Sequence, residues 1–158
     1  DVSRMRLKSS VTSKRLWSIP KFGRSIEVIL LDTHVWVWLA IEPKRLSRRA
    51  TTAIRKATES GGISVASISP WELAMLFANV RLRAPGTVET SVRSVVEKTG
   101  VIVHEITPEI AALSTMFPNT FPQEPADRLI GATARSLWLP LLTKDQRILD
   151  SELLKTIW

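Results

Sequence analysis

The chain contains no cysteine, which excludes disulfides and thiolate metal sites and leaves oxygen and imidazole as the available metal donors. That composition is compatible with a reducing cytoplasm, the expected location. No apolar run approaches the roughly 20 residues of a membrane-spanning helix, and none has the form of a secretory h-region, so no membrane association is expected. No G-x-G-x-x-G segment follows a strand pattern, which argues against dinucleotide binding. Internal repeats and low-complexity blocks are absent as well.

What is present is 158 residues with 44% hydrophobic content, enough for one compact domain with a real core but too little for two. The formal charge of +7 is very unevenly spread. Arg4, Arg6, Lys8, Lys14, Arg15, Lys21 and Arg24 face only Asp1 within residues 1–25, so this segment holds +6 of the total. The remainder is nearly neutral. Residues 1–25 are Ser- and Arg-rich and lack an apolar period, so a disordered basic extension is expected, with residues 26–158 as the folded domain. By composition the extension also suits a nucleic-acid-binding arm or a transit peptide.

From residue 27 onward, short apolar runs alternate with helical patterns, the signature of an α/β domain built on a mainly parallel sheet. "EVILL" (27–31), "GISVA" (62–66), "VIVHEI" (101–106) and "PLLT" (140–143) read as buried strands, and "KTIW" (155–158) as an edge strand. Helices are expected at "THVWVWLA", after a Ser47 cap with Gly61 as terminator, and after Ser69 with Pro70 as first helical residue. Further starts fall after Thr87, at Thr107-Pro108 and at Pro125. "FPNTFPQE" (117–124) is the longest irregular stretch.

Four acids stand out by where they fall. Asp32 directly follows the first strand, and Asp145 follows "PLLT" with only Lys144 between. Ligands of parallel α/β sheets gather at the carboxyl ends of strands, so both acids belong to that edge. Glu72 and Asp127 each occupy the third position of an expected helix start, in Ser69-Pro70-Trp71-Glu72 and Glu124-Pro125-Ala126-Asp127. Chain direction brings both starts to the same edge. Taken singly these are ordinary features: Ser69-x-x-Glu72 is a capping box, Asp127 complements a helix dipole, and Asp after a strand is a common turn residue. Together they are four like charges that repel unless a cation offsets them. An oxygen-only cluster suits a hard cation, and Mg²⁺ in particular prefers carboxylates, water and phosphate oxygens. Phosphoester hydrolysis by metal-activated water is the natural chemistry of such a site.

"LLDTHVWVWLA", "ISVASISPWELAML", "EPADRLIGATA" and "LPLLTKDQRIL", in this order over residues 28–150, resemble the acid-bearing blocks of PIN-domain nucleases, specifically the VapC-type toxins of toxin–antitoxin pairs. The resemblance implies a three-layer α/β/α sandwich and an Mg²⁺- or Mn²⁺-dependent endoribonuclease that leaves a 5′-phosphate. It implies Asp32, Asp127 and Asp145 as metal ligands, direct or through water, and Glu72 as the residue that positions water. Thr143 would orient the carboxylates, with Thr33 and Ser69 supporting them. The resemblance further implies a small cognate antitoxin whose tail fills the groove, and a homodimer. Glu124 departs from the family pattern, which usually has Asp there. As glutamate is a poorer helix cap, a looser loop is expected.

Other residues carry weaker signals. His34 is read as a positioning or packing residue and His104 as structural. Trp36, Trp38 and Trp71 could stack on bases, but burial in the core or a dimer contact on the Trp36/Trp38 helix fits better, and Trp138 is expected in the core. Of the basic residues in "KRLSRR" (44–49) and at Arg81, Arg83, Arg128 and Lys144, only Arg128 and Lys144 lie beside the acids and are assigned to substrate phosphates, with pairing to those acids in the absence of metal as the alternative. The competing readings are a structure-specific DNA nuclease with the same acids, and a binding domain without activity, which the intact quartet argues against. A receiver-like signalling domain would need paired acids after the first strand, and "LLDTHV" offers one.

Overall fold

Short apolar runs make parallel strands, and here five of them form one sheet; the run at 101–106, expected as a buried strand, instead lies at the sheet edge with Ile102 45% and Val103 40% exposed. The computed structural model describes residues 27–158; the basic segment 1–25 lies outside the described residues. In chain order the elements are β1 (Val28–Leu31), α1 (Thr33–Ile41), α2 (Arg48–Thr58), β2 (Gly62–Ala66), α3 (Ile68–Ala78), α4 (Val88–Thr99), β3 (Ile102–His104), α5 (Pro108–Ser114), α6 (Pro125–Ser136), β4 (Leu141–Leu142), α7 (Gln146–Asp150) and β5 (Thr156–Ile157). The sheet order is β3-β2-β1-β4-β5, with every pairing parallel. The expected α/β class, its mainly parallel sheet and the edge strand near residue 156 are all present.

The pleat divides the core in two. Ile29, Leu31, Ile63, Val65 and Leu142 face a cluster completed by Trp36 and Ala40 of α1, Ile54 of α2, Leu73 and Phe77 of α3 and Val95 of α4. Leu30, Ala66 and Leu141 face the other cluster, with Ile110 of α5, Ile130 and Ala134 of α6 and Ile148 of α7. Helices on both sides of one sheet give the three-layer α/β/α arrangement.

Local chemistry sets most boundaries as expected. Ser47, Thr87 and Thr107 accept hydrogen bonds from Ala50, Thr90 and Ile110 amides and cap α2, α4 and α5. Gly100 closes α4 at φ 62°, a left-handed conformation that glycine adopts without strain. Two expectations fail. First, α2 stops at Thr58, three residues before Gly61. Second, α3 starts at Ile68 with Ser67 at the N-cap position, so Ser69 caps nothing and Glu72 is the fifth helical residue rather than the third. Pro70 is still tolerated, because its missing amide is one of the four unpaired at any helix start.

Trp138 is not in the core. After α6 it takes φ 57° and is 92% exposed, because the chain turns there to enter β4. Trp36 is the opposite case: it is fully buried, and its indole Nε1 donates to Thr99 Oγ1 at 2.9 Å. That burial also removes Trp36 from any dimer contact. We predict that Trp36→Phe destabilises the fold by about 2–3 kcal/mol through a cavity and the lost hydrogen bond, read as a lower midpoint in urea unfolding at unchanged slope.

Candidate active site

Asp32 leaves the carboxyl end of β1 and takes the N-cap position of α1, yet its side chain caps nothing. It is 6% exposed, and its Oδ2 accepts a hydrogen bond from Thr143 Oγ1 at 2.7 Å. Thr143, buried at the end of β4, also accepts from the Asp145 backbone amide at 3.0 Å. One hydroxyl therefore ties the first acid to the last. The order of the strands reverses between β1 and β4, the point at which open α/β sheets hold their ligands. Burial raises the Asp32 pKa, while the Thr143 bond and nearby His34 oppose the rise.

Glu72 reaches the same edge from α3. Thr33 Oγ1 donates to its carboxylate and lies 2.8 Å from Ser69 Oγ. A hydroxyl has one proton, so with Glu72 ionised the chain runs Ser69 to Thr33 to Glu72. This partnership across 36 residues, rather than a capping box, explains where Ser69 points. Burial raises the Glu72 pKa, and the Thr33 bond partly reverses the effect.

Asp127 lies in the first turn of α6, whose N-cap Glu124 makes no side-chain capping bond. Burial first, then the charges of Asp32, Glu124, Asp145 and Glu72, push its pKa up to about 7. Asp145 is the contrast. Its Oδ1 caps α7 by accepting the Arg147 amide at 2.8 Å, and the Arg147 guanidinium holds its pKa below the usual carboxylate value.

Arg147 is the residue that the sequence reading missed. Its guanidinium lies 2.9 Å from Asp145, 3.5 Å from Glu124 and 3.8 Å from Asp127. The signal available was a cation two places after Asp145 in "TKDQR". Arg128, assigned to substrate from sequence, does something else. Its guanidinium donates to the carbonyls of Ser114, Phe117, Pro118 and Pro122 at 3.0–3.3 Å, clasping the irregular stretch before α6. Lys144 does stand at the site, as expected.

All four carboxylates line one open pocket of about 470 Å³, together with His34, Trp38, Glu124, Lys144 and Arg147. Among the described residues, no three acidic or histidine side chains stand close enough together to hold a metal ion as placed. The donor chemistry nonetheless fits a hard divalent cation: the acids supply oxygen only, three of the four carry raised pKa values, and a guanidinium is already drawn among them as a stand-in cation.

Comparison with known proteins agrees with this fold. The PIN domain family profile matches residues 29–151. The chain belongs to the PIN-domain family and, within it, to the VapC type. Ribonuclease VapC22 of Mycobacterium tuberculosis is 41% identical over 120 residues, covering 76% of this chain and 88% of that protein. Among solved structures, VapBC2 from Rickettsia felis bound to a promoter DNA fragment matches with a TM-score of 0.58 at 11% identity, over 82% of this chain and 96% of that one. VapBC-1 from nontypeable Haemophilus influenzae matches at 0.56 and 22%, with the same coverage. These structural likenesses carry the fold.

Asp127 binds its proton more tightly folded, at about 7, than unfolded, near 3.9. Its contribution to stability is full below pH 4 and is lost as pH rises to 7. In EDTA, Asp127→Asn is therefore more stable than the parent at pH 8 by on the order of 2 kcal/mol, with the gap closing towards pH 4; an equal gap at both pH values in urea unfolding contradicts this. Arg128→Lys, which keeps the charge but loses the planar fork, lowers stability by about 1–3 kcal/mol and speeds amide exchange around residues 117–124.

Proposed function

We propose that this protein is a metal-dependent endoribonuclease, the toxin of a toxin–antitoxin pair, that hydrolyses RNA phosphodiester bonds at Asp32, Glu72, Asp127 and Asp145. The observation that carries the reading is the convergence of these four carboxylates on one pocket at the strand-order reversal. The 41% identical relative is named a ribonuclease, which supports RNA over DNA. Several similar solved structures are toxin–antitoxin complexes, which supports a small antitoxin partner. Mg²⁺ or Mn²⁺ is the cofactor we assign, with Asp32, Asp127 and Asp145 to hold it. A cytoplasmic location and a homodimer complete the proposal. No described helix is long and apolar enough to cross a membrane.

The residues divide the work by environment. A divalent cation, when bound, supplies positive charge to the phosphate and lowers the pKa of water. Asp32 is the fixed point, because burial and the Thr143 bond leave its carboxylate one orientation. Asp145 is steered by the Thr143 hydroxyl through its amide and by Arg147 through its oxygens. Asp127 keeps its proton to about pH 7, so it ionises only near neutral pH or when positive charge arrives. Glu72, oriented by Thr33, stands across the pocket as an acceptor for a water proton.

The test is cleavage of labelled tRNA, ribosomal fragments and DNA flaps with Mg²⁺ or Mn²⁺. RNA cleavage that EDTA stops and Asp32→Asn abolishes is the expected result. Thr143→Val, which removes only the positioning hydroxyl, lowers kcat/KM by about 10–100-fold. Cleavage of DNA alone, or equal activity in the Asp32→Asn protein, overturns the reading.

A further inference from the structure

RNA is a polyanion, and the pocket it must enter is walled by five carboxylates. Cations are therefore needed close by, and Arg147 is already engaged by Asp145, Glu124 and Asp127. Lys144, exposed on the pocket rim, forms no ion pair with those acids. It lies instead over two indoles, 5.7 Å from the Trp38 ring centre and 5.9 Å from that of Trp158. Those rings are tilted against each other at 58° with centres 5.9 Å apart. Arg45 adds a second cation, its Cζ 4.5 Å from the Trp38 ring.

The arrangement joins three distant segments. Trp38 comes from α1, Lys144 from the turn between β4 and α7, and Trp158 follows β5. Exposed lysine is ordinarily a floppy point charge; cation–π attraction from two ring faces narrows its range while leaving its three donors outward. Trp38 and Lys144 both line the acid pocket, and Arg45, which also pairs with Glu42 at 3.4 Å, adjoins it through the Trp38 ring. Trp38 is only half-buried, so of the two fates expected from sequence, core burial and a dimer contact, the first does not apply.

We propose that Trp38 and Trp158 form an indole platform that positions Lys144 and Arg45 as the phosphate-binding wall of the groove, gripping an RNA strand beside the acids. The inference rests on the ribonuclease reading. Lys144 and Arg45 touch phosphate; Trp38 and Trp158 act through them as positioning residues.

The experiment measures binding of a short fluorescein-labelled single-stranded RNA by anisotropy, in the Asp32→Asn background, between about 50 and 200 mM salt. Lys144→Gln is expected to weaken binding about three- to tenfold and to reduce the slope of log K against log salt by about 0.7, the loss of one phosphate contact. Trp158→Ala weakens binding by about threefold and also flattens the slope, whereas Trp158→Phe, which keeps a ring face, restores both. With Asp32 restored, Lys144→Gln raises KM and leaves kcat within about twofold. Parental affinity and slope in both Lys144→Gln and Trp158→Ala overturn the platform while leaving the cleavage result standing. Weaker binding at unchanged slope in Trp158→Ala also overturns it, because the indoles then stack on bases instead of holding cations. If the Asp32→Asn protein binds no RNA and the parent cleaves none, both readings fall together.

Discussion

A single buried carboxylate constrains the rest of the molecule. Asp32 sits at the edge of the core with 6% exposure, where an unpartnered charge is costly. Thr143 answers with a 2.7 Å hydrogen bond, and it can do so only if β4 lies beside β1. That pairing is also the place where the strand order reverses. Site geometry and sheet topology are thus one condition: the arrangement that satisfies Asp32 is the arrangement that opens a cleft above the sheet.

Charge balance in that cleft is deliberately unequal. Asp145 is stabilised as an anion by Arg147, while Asp127, a short distance away, is pushed towards neutrality by burial and its neighbours. Two carboxylates of the same chemical type therefore have opposite protonation tendencies: the Arg147 contact at 2.9 Å governs Asp145, while burial and neighbouring acids govern Asp127, which Arg147 approaches only to 3.8 Å. The protein keeps the cluster together by sharing Arg147 and by raising the proton affinity of Asp127.

Much of this was legible in the sequence, for reasons that can be named. Asp32 and Asp145 follow apolar strands, and Glu72 and Asp127 follow proline-marked helix starts; short-range pattern is enough to place each on one edge. Ser69 was misread because its partner is Thr33, 36 residues away, and a capping motif looks the same on paper whether or not it caps. Arg128 is assigned from sequence to the acids' side, and Arg147 is not singled out at all, for a similar reason. Nothing local distinguishes a guanidinium that clasps the carbonyls of a preceding loop from one that turns towards acids of two helix starts. Trp138 was placed in the core by its position after an apolar helix, but a left-handed backbone at φ 57° turns it outward. The Trp38–Trp158 contact joins residues near opposite ends of the domain, a distance that no window of sequence reports.

The all-parallel order has a consequence for synthesis. Asp32 and Thr143 are 111 residues apart in the chain, and no hairpin brings any two strands together early, so β1 has no β4 to pair with until most of the domain has been made. A nascent chain emerging from the ribosome carries Asp32 and Glu72 but neither Thr143 nor Asp145. It holds two of the four acids that line the pocket and lacks the hydroxyl that fixes Asp32, so the cleft takes shape only when residues 141–145 join β1.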